Sequence, residues 1–450
     1  MTAYGESHPR MVDDRRAMVL VVLDGLGDRP LAELDMQTPA EAASTPHLDA
    51  LAARGVSGIH LPFGPGRAPS SEVSHWALFG YDGYPFCGRA VLEGRGYGAT
   101  VATAMVYSYA ALRPSEERAG AAWVTGRAAS SDEADAAKLF EALGVSAPQG
   151  FRLQQLRWGE ALLEMPEWAS PDVTDTDPFF EHLHPWLQPL PFADSASPTE
   201  AGETAAALAA FLLQGRGLLT THPVNEARRR RGIPALDVLT TKWTGRAEPV
   251  PGFTERVGIP AAAVTSTPLY RGLAATLGMH DAFVPSRADH GADLRARFDV
   301  AADLIDGGAG FVHVHTKATD EAGHTKDVRA KLEVIEELDA AFDRLQQKPY
   351  RDAVVVVTGD HATPSRDGVL HSGDPTPLVA IGPTVAPDDI DGFGESFART
   401  GALGSLRASD VLPLMLGYAN RPSFLGTRIT RYPSLGLPDE PVPMTLDGTG

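Results

Sequence analysis

Three short runs, MVLVVL at 18–23, FVHVH at 311–315 and AVVVV at 353–357, constrain the fold more than anything else in the chain. None shows the apolar and charged alternation of a strand with one wet face. Each therefore reads as a strand covered on both sides, as in a parallel sheet between layers of helices. The first run leads into the turn DGLGDRP and then into TPHLDALAARG, where Leu48, Leu51 and Ala52 fall on one helical face before a closing glycine. The same order of strand, loop and helix returns after about residue 285, with a helix expected over 327–346 and a further strand in LVAI at 378–381. The expected fold class is α/β, a doubly wound and mostly parallel sheet.

A chain of 450 residues exceeds the usual size of one core. The stretch from 101 to 283 also reads differently from its flanks. It opens on strand-like TVATAMVYSY and AAWVTGR, has a helical patch at 131–143, and becomes proline-rich around 185–198. The expected division is a discontinuous core from 11–100 and 284–432, interrupted by a smaller α+β domain over 101–283. Residues 1–16 and the tail after about 432 are expected to be loosely ordered.

Charge and cysteine content exclude several function classes. A formal net charge of −19 is unsuited to a nucleic-acid phosphate track or an anionic membrane surface. The one basic run, Arg228 to Arg231, is expected to be a solvated helix end. Cys87 is the single cysteine, which rules out an intrachain disulfide or a zinc ribbon. MVLVVL is too short, and too soon followed by Asp24, for a signal sequence or membrane span, so the cytoplasm is the expected location.

The chemistry is carried by Asp24, Asp320, His324, Asp360, His361 and His371, all in loops near strand ends. In open α/β sheets, ligands bind beyond the carboxyl ends of the strands, where such loops converge. One Asp after a strand is ordinarily a turn former or helix cap, and one His an ordinary core residue. Six mixed oxygen and nitrogen donors on one sheet edge instead indicate metal, and more than one tetrahedral ion needs, so two ions are expected. APSSEVSHWALFGYDG at 68–83 adds two serines ahead of a helical pattern. A serine there is either a plain N-cap or, beside two metals, a nucleophile at a phosphate-binding helix end. Arg67, Arg89 and Arg95 are neighbours in sequence and candidates for phosphate or carboxylate contact.

The strings VLDGLGDRP, SSEVSHWALFGYD, GRAVLEGRG, VTDTDP, HPVNEARRRRG, TKATDEAGH, TGDHATP and HSGDPTP resemble the alkaline phosphatase superfamily. More narrowly they are similar to the archaeal-type, cofactor-independent phosphoglycerate mutases, and VTDTDP and HPVNEARR favour that branch. The resemblance implies one metal held by Asp24, Ser71, Asp360 and His361 and another by Asp320, His324 and His371. It implies Ser71 rather than Ser70 as nucleophile, four residues before His75, with His75 contacting the substrate phosphate or carboxylate. The implied reaction is a phosphoserine mechanism on a small anionic phosphorylated substrate: the dephosphorylated glycerate reorients and takes the phosphoryl group back on its other hydroxyl, while the inserted domain closes to exclude water. Manganese is the implied ion, with zinc or magnesium also suited in part.

Three places depart from the family pattern. VYSYAAL stands where the family has Arg-x-Asn, ALDVLTTKWTG where it has an Arg-Gly pair, and DHGADLR where it has a lysine, leaving Arg295 near that position. All three concern groups that would grip the substrate. Two phosphoryl acceptors therefore stay open at this point. One is the second hydroxyl of a phosphoglycerate or a close phospho or phosphono carboxylic acid; the other is water, as in a phosphatase or phosphodiesterase.

Overall fold

Every residue of Met18–Leu23 is shielded from solvent, as the lack of polar alternation requires. The computed structural model describes residues 14–178, 183–366, 368–425, 434–435, 439 and 444. Most of the expected loose N-terminus and tail lies outside the described residues. The chain forms two compact units. The first comprises the residues up to Tyr84, Pro251–Ser266 and those from Leu277 onward; the second comprises Pro85–Val250 and Thr267–Thr276.

The first unit is built on an eight-stranded sheet. Its strands in chain order are β1 (Met18–Leu23), β2 (Val56–His60), β3 (Ala261–Thr265), β4 (His280–Phe283), β5 (Phe311–Thr316), β6 (Val354–Thr358), β7 (Thr376–Ile381) and β8 (Gly404–Leu406). Their order across the sheet is β4-β3-β5-β1-β6-β7-β2-β8. All neighbours are parallel except at β7, which runs against both β6 and β2. The mostly parallel α/β architecture expected from the apolar runs is thus the one observed. Side chains of β1, β5 and β6 pack with those of α1 (Pro46–Ala52), α3 (His290–Asp306) and α5 (Val328–Asp339) in one continuous apolar core. Two further helices carry site residues: α2 (Ser71–Leu78) and α4 (Ala318–His324).

The second unit holds a four-stranded antiparallel sheet in the order Arg152–Arg157, Glu160–Met165, Val106–Arg113, Val238–Arg246. Leu139, Phe140 and Leu143 of helix Glu133–Ser146, with Leu208, Phe211 and Leu212 of helix Pro198–Thr221, share its core with Ala110, Leu112 and Leu163 of the sheet. Gly94 of helix Arg89–Gly96 meets Leu162, whose place in the strand alternates with Ala161 and Leu163. The sheet is therefore covered from both faces.

The division falls elsewhere than at 100 and 283. β3 and β4 lie inside the segment expected to be inserted yet belong to the large sheet, and Arg89–Gly96 belongs to the second unit. AAAVT and HDAF are too short and too weakly apolar to stand out from their surroundings as strands. The basic run also differs from expectation. Arg229, Arg230 and Arg231 are exposed, but Arg228 is buried and its Nη1 bonds Asp132 at 2.8 Å and Asp135 at 3.1 Å. Beside it Asn225 is fully buried: its Nδ2 donates to the Leu219 and Leu236 carbonyls, and its Oδ1 accepts from the Leu236 N–H. HPVNEARR thus ties helix Pro223–Arg230 to the chain on either side of it.

Buried polar ties hold the loops beyond β1 and β6 together. Lys331 of α5 is fully buried, and its ammonium donates to the Gly27 carbonyl at 2.9 Å, the Thr363 carbonyl at 2.8 Å and Asp28 at 3.1 Å. A buried ammonium is tolerated because all three donors find acceptors. Gly25 has φ +65°, and a Cβ there would lie 2.4 Å from the Thr363 hydroxyl and 2.8 Å from Asp320 Oδ1. Only glycine fits such a turn, so DGLG is a packing requirement of the loops around it.

Candidate metal centre

The parallel strands deliver the site. Asp24 directly follows β1, α4 with Asp320 and His324 follows β5, and Asp360 and His361 follow β6. His371 lies on the loop that returns into β7, and Ser71 opens α2 after β2. Two groups of side chains form. Asp24, Asp360 and His361 bring one donor atom each within 4.8 Å of one another, as do Asp320, His324 and His371. The first group is buried throughout; in the second only Asp320 is, while His324 and His371 are half-buried. The His361 and His371 rings stack with centroids 3.9 Å apart, so the groups are neighbours.

Hydrogen bonds turn the imidazoles toward these groups. His371 Nδ1 is 3.1 Å from the Pro69 carbonyl, which can only accept, so Nδ1 carries a proton there and the ring turns Nε2 toward Asp320 Oδ1, 3.6 Å away. The Thr363 hydroxyl donates to Asp320 Oδ1 at 2.6 Å and is left to accept from His361 Nδ1 at 3.2 Å. His361 Nε2 then faces Asp24 Oδ1 at 3.3 Å and Asp360 Oδ2 at 3.6 Å. Asp360 Oδ2 is buried and has no hydrogen-bond partner among the described residues. A buried carboxylate oxygen left without a hydrogen bond is costly unless a cation lies against it. The donor set, the orientation of its rings and that oxygen all fit a divalent ion.

Electrostatics point the same way. Burial would raise the Asp24 carboxyl, but Lys317, His315 and His361 hold it well below the usual carboxylate range. Burial and the Asp24 charge push Asp360 up. Burial lowers the His361 imidazole, but Asp360 and Asp24 outweigh it and push it up to about 9. Carboxylates and imidazole compete for one positive charge, which is the condition under which a metal displaces protons.

Ser71 is the first residue of α2, and Ser70, at the cap position, makes no side-chain cap. The Ser71 hydroxyl instead meets Asp24 Oδ1 at 3.3 Å and His361 Nε2 at 3.1 Å, inside the buried ligand group. The plain N-cap alternative does not describe it.

The expected substrate contacts fare differently. His75 is fully buried; its Nδ1 donates to the Ser71 carbonyl at 2.8 Å and lies 3.5 Å from Asp360 Oδ2, among the rings of Phe79, His313 and His315. Its ring thus supports Ser71 and Asp360 directly. Arg295 on α3 bonds Asp343 and the Ala340 carbonyl, with the guanidinium and that carboxylate both partly exposed. Arg67 is exposed, with Nη1 on the Phe63 carbonyl at 3.0 Å. Arg89 lies in the second unit, paired with Glu93 at 3.2 Å and stacked 3.9 Å over the Trp243 ring.

Three residues join the site that sequence reasoning left without a role. His315 Nε2 is 2.8 Å from Asp24 Oδ2, Lys317 Nζ contacts both Asp24 and Asp320, and Thr363 links Asp320 to His361. Their only sequence signal is that they lie within or beside the ligand-bearing strings.

Comparison with known proteins agrees with this geometry. Residues 16–418 match the model of the metalloenzyme superfamily. A 2,3-bisphosphoglycerate-independent phosphoglycerate mutase of Ignicoccus hospitalis is 36% identical over 91% of this chain and 99% of its own. One from Pyrococcus furiosus is 33% identical over 92% and 99%. Among solved structures, a cofactor-independent phosphoglycerate mutase from Thermoplasma acidophilum is similar with a TM-score of 0.60 at 28% identity, over 90% of this chain and 99% of that one. A Pyrococcus horikoshii protein is similar with a TM-score of 0.74 at 29% identity, over 92% and 100%. The chain belongs to the metalloenzyme superfamily and, within it, to the metal-dependent 2,3-bisphosphoglycerate-independent phosphoglycerate mutases.

Proposed function

We propose that this protein moves a phosphoryl group between the 3- and 2-hydroxyls of glycerate, or of a close phospho or phosphono carboxylic acid, through a phosphoserine at Ser71. The observation that carries this reading is the buried Ser71 hydroxyl held between Asp24 and His361 at the start of α2. Asp24, Ser71, Asp360 and His361 would hold one ion, and Asp320, His324 and His371 the other. Two divalent ions there, manganese by preference, supply charge neutralisation at the phosphoryl oxygens and make the serine hydroxyl more acidic.

The chain's own residues do the rest. The Ser71 hydroxyl, turned toward Asp24 and His361, gives up its proton as the Oγ–P bond forms; the bond from phosphorus to the substrate oxygen breaks, and that one proton ends on the departing oxygen. Reversal at the other hydroxyl restores Ser71. Each half exchanges one O–P bond for another, so no water, oxidant or second phosphate donor is consumed. The N-terminus of α2 favours the anionic group at its first residue. No described helix is long and apolar enough to cross a membrane. The cytoplasm, where phosphorylated glycerates are retained by their charge, is the proposed location.

A second reading is favoured by the engagement of Arg295 with Asp343. With that anion clamp occupied elsewhere, water could take the phosphoryl group and the enzyme would be a hydrolase. Acid quenching during turnover followed by peptide mass analysis tests the shared intermediate. A phosphoryl group is expected on the peptide containing Ser71, and Ser71→Ala is expected to lose it together with at least about 10³-fold in rate. Undiminished turnover by Ser71→Ala would refute the phosphoserine route.

A further inference from the structure

Asp24 and Asp320 each divide their two carboxylate oxygens in the same way. Asp24 Oδ1 faces Ser71 Oγ at 3.3 Å and His361 Nε2 at 3.3 Å. Asp320 Oδ1 faces His324 Nε2 at 3.2 Å, His371 Nε2 at 3.6 Å and the Thr363 hydroxyl at 2.6 Å. The outer oxygens meet one cation: Lys317 Nζ lies 3.2 Å from Asp24 Oδ2 and 2.7 Å from Asp320 Oδ2. Asp24 Oδ2 also has His315 Nε2 at 2.8 Å. A lysine kept only for solubility would extend its ammonium into water, whereas this one places it on two buried carboxylates belonging to different ligand groups.

We propose that Lys317 is a positioning residue shared by both metal sites: by bonding the outer oxygen of Asp24 and of Asp320, one ammonium keeps the inner oxygen of each turned toward its own ligand group. The inference rests on the ligand assignment given above. Carboxylates that bind metal are commonly oriented by such outer partners, and losing one typically weakens metal binding 10- to 100-fold. Here one side chain orients a ligand of each site, so one substitution weakens both.

The sign of the effect is diagnostic. If Lys317 acted only as a nearby positive charge, it would repel the ions, and removing it would tighten binding. As a positioning group its removal loosens binding.

Calorimetric titration of manganese into metal-free wild type, Lys317→Met and Lys317→Arg separates these cases. The wild type is expected to take up two ions. Lys317→Met is expected to bind both about 10- to 100-fold more weakly. Lys317→Arg, which keeps a cation of similar reach, is expected to recover part of the loss at both sites. Equal or tighter binding by Lys317→Met at either site would overturn the inference while leaving the ligand assignment intact. A wild type that takes up no ion would overturn the ligand assignment and the inference with it. Should Lys317→Met fail to fold, a crystal structure of the manganese-loaded wild type decides. Nζ bonded to Oδ2 of both aspartates, with Oδ1 of each on a metal, supports the proposal; Nζ away from either carboxylate refutes it.

Discussion

At the scale of single residues, function here depends on which atom of a side chain faces inward. Asp24 and Asp320 turn Oδ1 to the ligand groups, and His361 and His371 turn Nε2, because Thr363 and the Pro69 carbonyl occupy the opposite ring nitrogens. The turn at Gly25 makes room for this arrangement. Gly25→Ala would place a methyl group 2.4 Å from Thr363 Oγ1 on a backbone at φ +65°. A left-handed alanine alone costs about 1–2 kcal/mol, and the clash adds to it. We expect at least about 2 kcal/mol of lost stability together with weakened metal binding, read by denaturant unfolding and metal titration. An alanine variant as stable as the wild type would show that the loop relaxes freely. The six Asp and His ligand candidates were legible in the sequence because residue type and placement after strands both point to them. Lys317, His315 and Thr363 were not, since each acquires its role from partners that are mostly distant in sequence. His75 and Arg295 likewise have bonds that no local string announces, to the Ser71 carbonyl and to Asp343.

At the scale of elements, the site rests on short pieces docked by buried polar groups. Glu395 opens the helix Glu395–Ala398 and accepts from the Thr38 hydroxyl at 2.5 Å and from the Asp28 N–H at 3.2 Å, joining that helix to Pro39–Ala42 and to the loop after β1. Burial, with the Glu41 charge adding to it, pushes the Glu395 carboxyl up to about 7. The folded protein therefore binds this proton more tightly than the unfolded chain, whose glutamate titrates near about 4.3. The contribution of Glu395 to stability is complete below the unfolded value and is lost as pH rises through about 7. Glu395→Gln is expected to remove this part of the pH dependence, so that variant and wild type diverge between pH 5 and pH 8 in favour of the variant. Parallel stability profiles would contradict this. Among the strands, β1, β5, β6 and β7 were legible as apolar runs, whereas β2, β3, β4 and β8 were not. VSGIH, AAAVT, HDAF and GSL carry too little apolar length to be read locally, and their strand state comes from sheet neighbours.

At the scale of the whole molecule, a chain of net charge −19 belongs to a family whose members act on phosphoglycerate. The global field opposes an anionic substrate, so any attraction must come from the ions and from local cations such as Lys317. The two units divide the chain differently from the expected boundaries because weak strands from the middle of the sequence complete the large sheet. Mutase and hydrolase share the phosphoserine and differ only in what accepts the phosphoryl group. One assay separates them: manganese-loaded protein with 3-phosphoglycerate, following 2-phosphoglycerate and free phosphate in the same tube. The account predicts 2-phosphoglycerate without matching phosphate, and neither product from Ser71→Ala. Phosphate release without 2-phosphoglycerate would contradict it and assign the acceptor as water.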